Sequence, residues 1–170
     1  MVATSMVVLP IGILSAQPNF EIQVYPSKTA DKHTTLFELH SNFTGDGSRA
    51  TEGTLLPTQH ALHETLEVTH GFSDYFEVGI YAFTSARVGD GFTFVGTHVR
   101  PRVMAPASWK LPVGLSLATE IGPVSKKFDT RPLGVEVRPI IDQQLGKFYW
   151  AVNLAVGWAL NGADAGRGIS

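Results

Sequence analysis

The stretch HALHETLEVTH, His60–His70, places three histidines and two glutamates within a few residues of one another. It misses the zinc-protease helix pattern H-E-x-x-H by one residue, because Glu67 stands where the second histidine would be. A catalytic zinc needs three or four ligands on one centre and an open position for water. On a helix, His60/Glu64 and His63/Glu67 would be i,i+4 pairs, but Val68 would leave the face shared by Leu62 and Leu66, and the β-branched Thr65, Val68 and Thr69 favour a strand. On a strand, His63 and Glu67 share a polar face with Thr65 between them. His60 and His70 then take the opposite parity, at or beyond the strand ends. These ligands do not converge, so no metal site is expected, and His63 and Glu67 read as residues of a polar sheet face. Glu64 shares parity with Leu62 and Leu66, which puts it near an interface or at a bulge.

Other reactive combinations are weaker. His40-Ser41-Asn42 is similar to the H-x-S-N of outer-membrane lipid A deacylases, but there the His and Ser are two apart and share a face. Here they are adjacent, and a strand sends them to opposite faces, so no catalytic residue is assigned. His98, Arg100 and Arg102 put three basic groups on one face. They read either as a charge network with Glu120 and Glu136 on neighbouring strands or as an anion-attracting patch in a pore. Gly45-Asp46-Gly47 and Gly89-Asp90-Gly91 read as loop turns rather than calcium sites. The chain contains no cysteine, which excludes disulfide scaffolds, thiolate metal sites and thiol catalysis. Its net charge is -2 and no basic run exceeds Lys126-Lys127, so nucleic acid is not an expected partner.

The elements that would carry these residues have a period of two. Phe20, Ile22 and Val24 alternate with Glu21, Gln23 and Tyr25; Phe37, Leu39 and Phe43 with Glu38, His40 and Asn42; Leu62, Leu66, Val68 and Phe72 with His63, Thr65, Glu67 and Thr69. The pattern continues through Phe76–Ala82, with Glu77 on the polar side, and through Val95, Val99 and Val103 against His98, Arg100 and Arg102. It goes on through Val113–Ile121 against Glu120, through Val135–Ile141 against Glu136 and Arg138, and through Trp150–Trp158. About eight strands result, several of roughly nine or ten residues, where soluble strands average five or six. Turn signals fall at 71–74, 106–108 and 142–146, and longer polar links at 44–59, 85–91 and 123–132. Short and long links alternate, as in an antiparallel up-and-down meander. One face is aliphatic and aromatic; the other holds Glu38, His40, His63, Glu67, Glu77, His98, Arg100, Arg102, Glu120, Glu136 and Arg138. Charged residues are only 16% of the chain, against about 25% in ordinary soluble proteins. Aromatic residues gather near strand ends, as interfacial girdles do.

The opening MVATSMVVLPIGILSAQPNF has an apolar run, Met6–Ala16, that ends in small residues. It reads as a signal peptide over residues 1–16, without the usual leading positive charge, or alternatively as a buried strand. A barrel domain is then expected over 17–160 and a polar tail over 161–170.

THGFSDYFEVGIY, residues 69–81, resembles a recurring hairpin of Gram-negative outer-membrane β-barrels. FELHSNFT, LPTQHALHETLEVTHGFSDYFEVG, HVRPRVMAPASWKLPVGLS and VEVRPIIDQQLGKFYWAVN resemble one family of uncharacterised, porin-like outer-membrane barrels, loosely akin to the phenol-pathway MetA type. The resemblance covers residues 20–160. It implies a transmembrane β-barrel in the cell outer membrane, of around a dozen strands, with transport as its presumed role and no catalytic residues, cofactor or metal. Such barrels finish on a strand with a terminal aromatic, whereas Trp158 is followed by the polar ALNGADAGRGIS, so the chain is expected to be C-terminally truncated. The fold expected is all-β, a meander of about eight visible strands forming a barrel that is complete or incomplete. The expected partners are outer-membrane lipid outside and a small solute inside. The alternatives are a soluble or periplasmic β-barrel binding an apolar ligand, with the Leu/Val/Phe face turned inward, and an outer-membrane lipid-modifying enzyme. A periplasmic start at a first strand near Phe20 would put the long links on the periplasmic side. Either that first strand is miscounted or TEGTLLPT, residues 51–58, hides another.

Overall fold

The computed structural model describes residues 23–162 and residue 165. The expected leader, Phe20 and Ile22 of the expected first strand, and most of the tail lie outside the described residues. The strands are β1 (Thr35–Phe43), β2 (Leu62–Ser73), β3 (Phe76–Arg87), β4 (Gly91–Met104), β5 (Gly114–Pro123), β6 (Leu133–Leu145), β7 (Phe148–Asn153) and β8 (Val156–Ala159), with a 3-10 turn at Ala107–Trp109. All pairings are antiparallel and follow chain order from β1 to β7, while β8 also pairs with β6. The protein is therefore an all-β, up-and-down meander of eight strands. Among the described residues the sheet does not close: β1 pairs with β2 alone, and the opposite edge is β7 and β8.

β7 and β8 are two halves of the run expected at Trp150–Trp158. β7 pairs with the second half of β6 (Ile140↔Asn153) and β8 with the first (Val137↔Val156). The break at Leu154 and Ala155 faces Pro139, which has no N–H for a ladder and only accepts from the Leu154 N–H. The link expected at 85–91 shrinks to Val88–Asp90, where Gly89 and Gly91 take φ of +94° and +72°, open to glycine without cost. The turns expected at 71–74 and 142–146 move to Asp74–Tyr75 and Gly146–Lys147, because β2 and β6 run on to Ser73 and Leu145.

The expected first strand is corrected. Val24 and Tyr25 lie in no strand, and among the described residues the sheet begins at Thr35. TEGTLLPT supplies only an isolated bridge, Glu52↔Leu55. The start of β1 thus lies at the end of the sheet that carries the short turns, and the long links 44–61 and 124–132 lie at the other. Those links meet: Thr54 Oγ1 donates to the Lys126 carbonyl and Leu56 N to that of Lys127. Val124 and Phe128 pack beneath them against Tyr81, Phe83 and Val95.

Burial is inverted relative to an ordinary core. His63, Thr65, Glu67, Thr69, Glu77, Arg100, Arg102 and Ser116 are buried, while Phe37, Leu39, Ile80 and Phe92 are 73%, 67%, 55% and 71% exposed. A single layer buries its polar face only by curling around it. One apolar assignment is corrected here. Val95, expected beside Val99 and Val103, is buried on the inner face, because Phe83 pairs with Gly96 but Thr84 pairs with Phe94. The extra residue is a β-bulge, which flips parity on one side of it. Glu64 stays on the outer face in an unbroken register and accepts from Ser41 Oγ at 2.6 Å.

The inner face is not empty. Residues 23–31 cross it as an extended strap, from Asn153 and Asp142 on one side to Glu77 and Gly71 on the other. It alternates from Val24 to Thr29: Tyr25, Ser27 and Thr29 are buried, and Val24, Pro26 and Lys28 are exposed; Ala30 beyond them is buried as well. Two glycines admit it. A Cβ at Gly71 would lie 2.7 Å from the Ala30 carbonyl oxygen, and one at Gly114 would lie 3.1 Å from Ser27 Cβ and collide with Asp142. Gly114→Val is expected to destabilise the protein by about 1–3 kcal/mol and to loosen the strap. Denaturant midpoints would measure the first effect. Faster trypsin cleavage after the exposed Lys28, located by mass spectrometry, would report the second.

Candidate functional site

Register explains how the charges meet. On the inner face Arg102 of β4 stands directly opposite Glu77 of β3, and Arg102 Nη2 lies 2.7 Å from Glu77 Oε1. Arg100 stands opposite Gly79, which offers no side chain. Its guanidinium reaches across that gap to the next strand, where Nη2 lies 2.6 Å from Glu67 Oε1 on β2; it also lies 3.5 Å from Glu77 Oε1. A Cβ at Gly79 would sit 3.4 Å from Arg100 Nη2 and 2.9 Å from Thr69 Oγ1. Thr69 Oγ1 donates to the same Glu67 oxygen at 2.6 Å, and His40 Nε2 of β1 lies 3.5 Å from the other. All four members of the Glu67–Glu77–Arg100–Arg102 group have side chains no more than 6% exposed.

A second group lies on the other side of the interior. Glu120 of β5 and Glu136 of β6 are register partners, and Arg138 serves both: Nη2 is 2.6 Å from Glu136 Oε1 and 4.0 Å from Glu120 Oε2. Tyr25 of the strap joins the two groups. The Arg100, Arg138 and Arg102 guanidinium carbons lie 4.2, 5.4 and 5.7 Å from the centre of its ring, within cation–π range. Its hydroxyl lies 3.2 Å from that of Tyr81. Beside this junction a cleft of about 310 Å³ is lined by Lys28, Asp31, Glu38, Thr69, Arg100 and Arg102, among others.

Of the residues singled out in the sequence, the fold brings His40, Glu67, Glu77, Arg100 and Arg102 into one cluster and Glu120, Glu136 and Arg138 into another. Glu38 borders the cleft from the exposed edge strand. His63 is buried on the inner face, and His98 meets the Phe83 ring edge-on at 4.8 Å; both stand nearer the long-link end. Arg100 and Arg102 make their close ion pairs toward β2 and β3, and Arg100 also interacts electrostatically with Glu120 on β5, one of the neighbours expected for it. Arg102 faces Ala118 across β5, so that side offers it no acceptor in register. Ser41 and His40 point to opposite faces, Ser41 to Glu64 and His40 to Glu67. Among the described residues, no three His, Cys, Asp or Glu are grouped so as to hold a metal ion.

The sequence reading missed Tyr25, Asp142 and Asn153. Asp142 accepts from Ser27 N and Ser27 Oγ, both at 2.7 Å, and from Tyr149 Oη at 2.8 Å. Asn153 accepts from Tyr25 N at 2.8 Å and donates to the Tyr25 carbonyl at 3.0 Å. Asp142 has the parity of Glu136 and Arg138, which was the available signal; its neighbours Gln143, Gln144 and Gly146 made it look like turn. Comparison with protein-family models, with curated proteins and with solved structures gives no match.

Removing one partner of a buried ion group strands the other charge. Glu77→Ala is expected to cost about 3–5 kcal/mol, measured by denaturant unfolding. The double variant Glu77→Ala/Arg102→Met is expected to be more stable than Glu77→Ala alone.

Proposed function

We propose that this chain builds the wall of an outer-membrane β-barrel whose charged interior binds or passes a small polar solute. The inverted burial carries the reading. Charged side chains lie against one another inside, while Phe, Leu, Ile and Val cover the outside with no second layer over them among the described residues. In water that outer face would leave a large apolar surface exposed; in lipid it is the face that belongs there. The twelve-residue strands β2 and β3, at about 3.3 Å per residue and a tilt of about 40°, cross roughly 30 Å, the thickness of a hydrocarbon core. Exposed aromatics edge both rims, with Phe72, Tyr75, Trp109 and Phe148 at the short-turn end and Phe43, Phe92 and Phe94 at the other. Starting the wall at Thr35 also eases the orientation conflict: the chain's entry into the sheet then shares the side of the two-residue turns 74–75 and 146–147, periplasmic on this reading, together with the nine-residue link 105–113. The interior carries both signs, so passage would be diffusion past fixed charges with no bond chemistry. The soluble-barrel alternative requires the Leu/Val/Phe face inside, the reverse of the observed burial.

Fractionation of expressing cells tests the reading, together with gels of heated and unheated detergent extracts. Outer-membrane location with a heat-dependent mobility shift is the expected result; a protein soluble without detergent would overturn it. A second test is substitution on the outer face. Leu66→Arg, on a side chain 47% exposed, is expected to cost about 2–4 kcal/mol of folding stability in lipid. In a soluble sheet the same change would be near neutral.

A further inference from the structure

Most of the polar contacts that the wall makes with the strap are to the strap's main chain. Asn153 takes both the N–H and the carbonyl of Tyr25, as a neighbouring strand would. Arg102 donates to the Pro26 carbonyl at 2.9 Å and to the Lys28 carbonyl at 3.1 Å. Asp142 accepts from Ser27 N, and Glu77 accepts from Ala30 N. These wall groups come from β3, β4, β6 and β7, and Glu77, Arg102 and Asp142 are each more than nine-tenths buried. Side chains thus supply main-chain partners at every residue from Tyr25 to Ala30, in place of the ladder that a paired strand would otherwise supply. Main-chain groups are common to all peptides, so this recognition is largely indifferent to sequence. Sequence enters at three places: a flat ring under the three guanidiniums at Tyr25, whose hydroxyl also meets that of Tyr81, a hydroxyl at Ser27 that reaches Asp142 Oδ1, and a hydroxyl at Thr29 that donates to the softer acceptor Met104 Sδ. Pro26 fits because only its carbonyl is used.

We propose that the inner face is a binding track for an extended peptide, and that residues 23–31 occupy it in cis as a built-in competitor. The ligand class is an extended segment with an aromatic residue followed, two positions on, by a small hydroxyl residue. Such a peptide arriving in trans binds by displacing the strap. This goes beyond passage of a small solute and rests on the inner-face geometry, whether that face lies in a membrane or in water.

The probe is a fluorescent synthetic peptide of residues 23–31, its anisotropy read against the full-length protein in detergent. Tyr25→Ala weakens the cis occupant, and peptide affinity is expected to rise at least tenfold over the unsubstituted chain. N-methylation of the probe at the Ser27 and Ala30 positions removes the donors to Asp142 and Glu77, and is expected to lower affinity at least tenfold. Ser27→Ala removes the hydroxyl that reaches Asp142 Oδ1 and weakens the cis occupant more mildly; peptide affinity is expected to rise in it as well. A Tyr25→Ala chain that keeps its heat-dependent mobility yet binds no better would overturn the proposal, as would equal binding of the methylated and unmethylated probes. Ser27→Ala decides the matter if Tyr25→Ala does not fold. A protein that binds peptide but needs no detergent would sink the membrane reading and leave the track standing.

Discussion

Arg100 and Arg102 lie two residues apart on one strand, almost wholly removed from solvent, and much of the structure follows from what it takes to keep them there. Each ion taken from water costs several kcal/mol unless charge and hydrogen bonds are returned to it. Glu77 returns charge to Arg102 across one strand, and Glu67 returns it to Arg100 across two, through the space left by Gly79. Arg102 still has donors to place, and the carbonyls of Pro26 and Lys28 accept them. The strap is therefore part of the solution to the buried charge as well as an object resting on the wall.

The same requirement sorts the two faces. A sheet that directs its ions inward has only its hydrocarbon left to present outward, so the outer face of Leu, Phe, Val and Ile is the complement of the inner network. Covering that face with a second protein layer would give a sandwich whose polar side had to meet water. The strap and the two meeting links instead fill the polar side from within. Inversion of burial and internal occupation are two results of one arrangement.

The meander, the strand positions and the inward set of charges were legible because a period of two survives almost unbroken from Phe37 to Trp158. What was not legible depended on departures from that period or on distance along the chain. The bulge at Val95 reverses parity without any glycine or proline at the bulged residue itself to announce it. Tyr25 alternates like a strand residue and is buried like one, yet it pairs with side chains; no local pattern separates these cases. The close partner of Arg100 on β2 was not foreseen because its neighbour on β3 is a glycine, and reach across a vacant position is a property of three strands together. Asp142 was read as turn because strand length depends on pairing with β5 and β7, which the neighbouring polar residues conceal.

Asn153 lies 128 positions from Tyr25, and Asp142 lies 115 from Ser27. Hairpins such as β2–β3 join across two residues and can form early, whereas closing a span of more than a hundred residues carries a larger entropic cost and comes late. The segment made before the wall is thus among the last to find its place. Glu77 and Arg102 can hold the strap at Pro26, Lys28 and Ala30 once β3 and β4 exist, but Tyr25 and Ser27 wait for Asn153 and Asp142 on β7 and β6. The first-made end of the strap is thus the last to be fastened, so the wall must be able to stand, for a time, with its interior half filled.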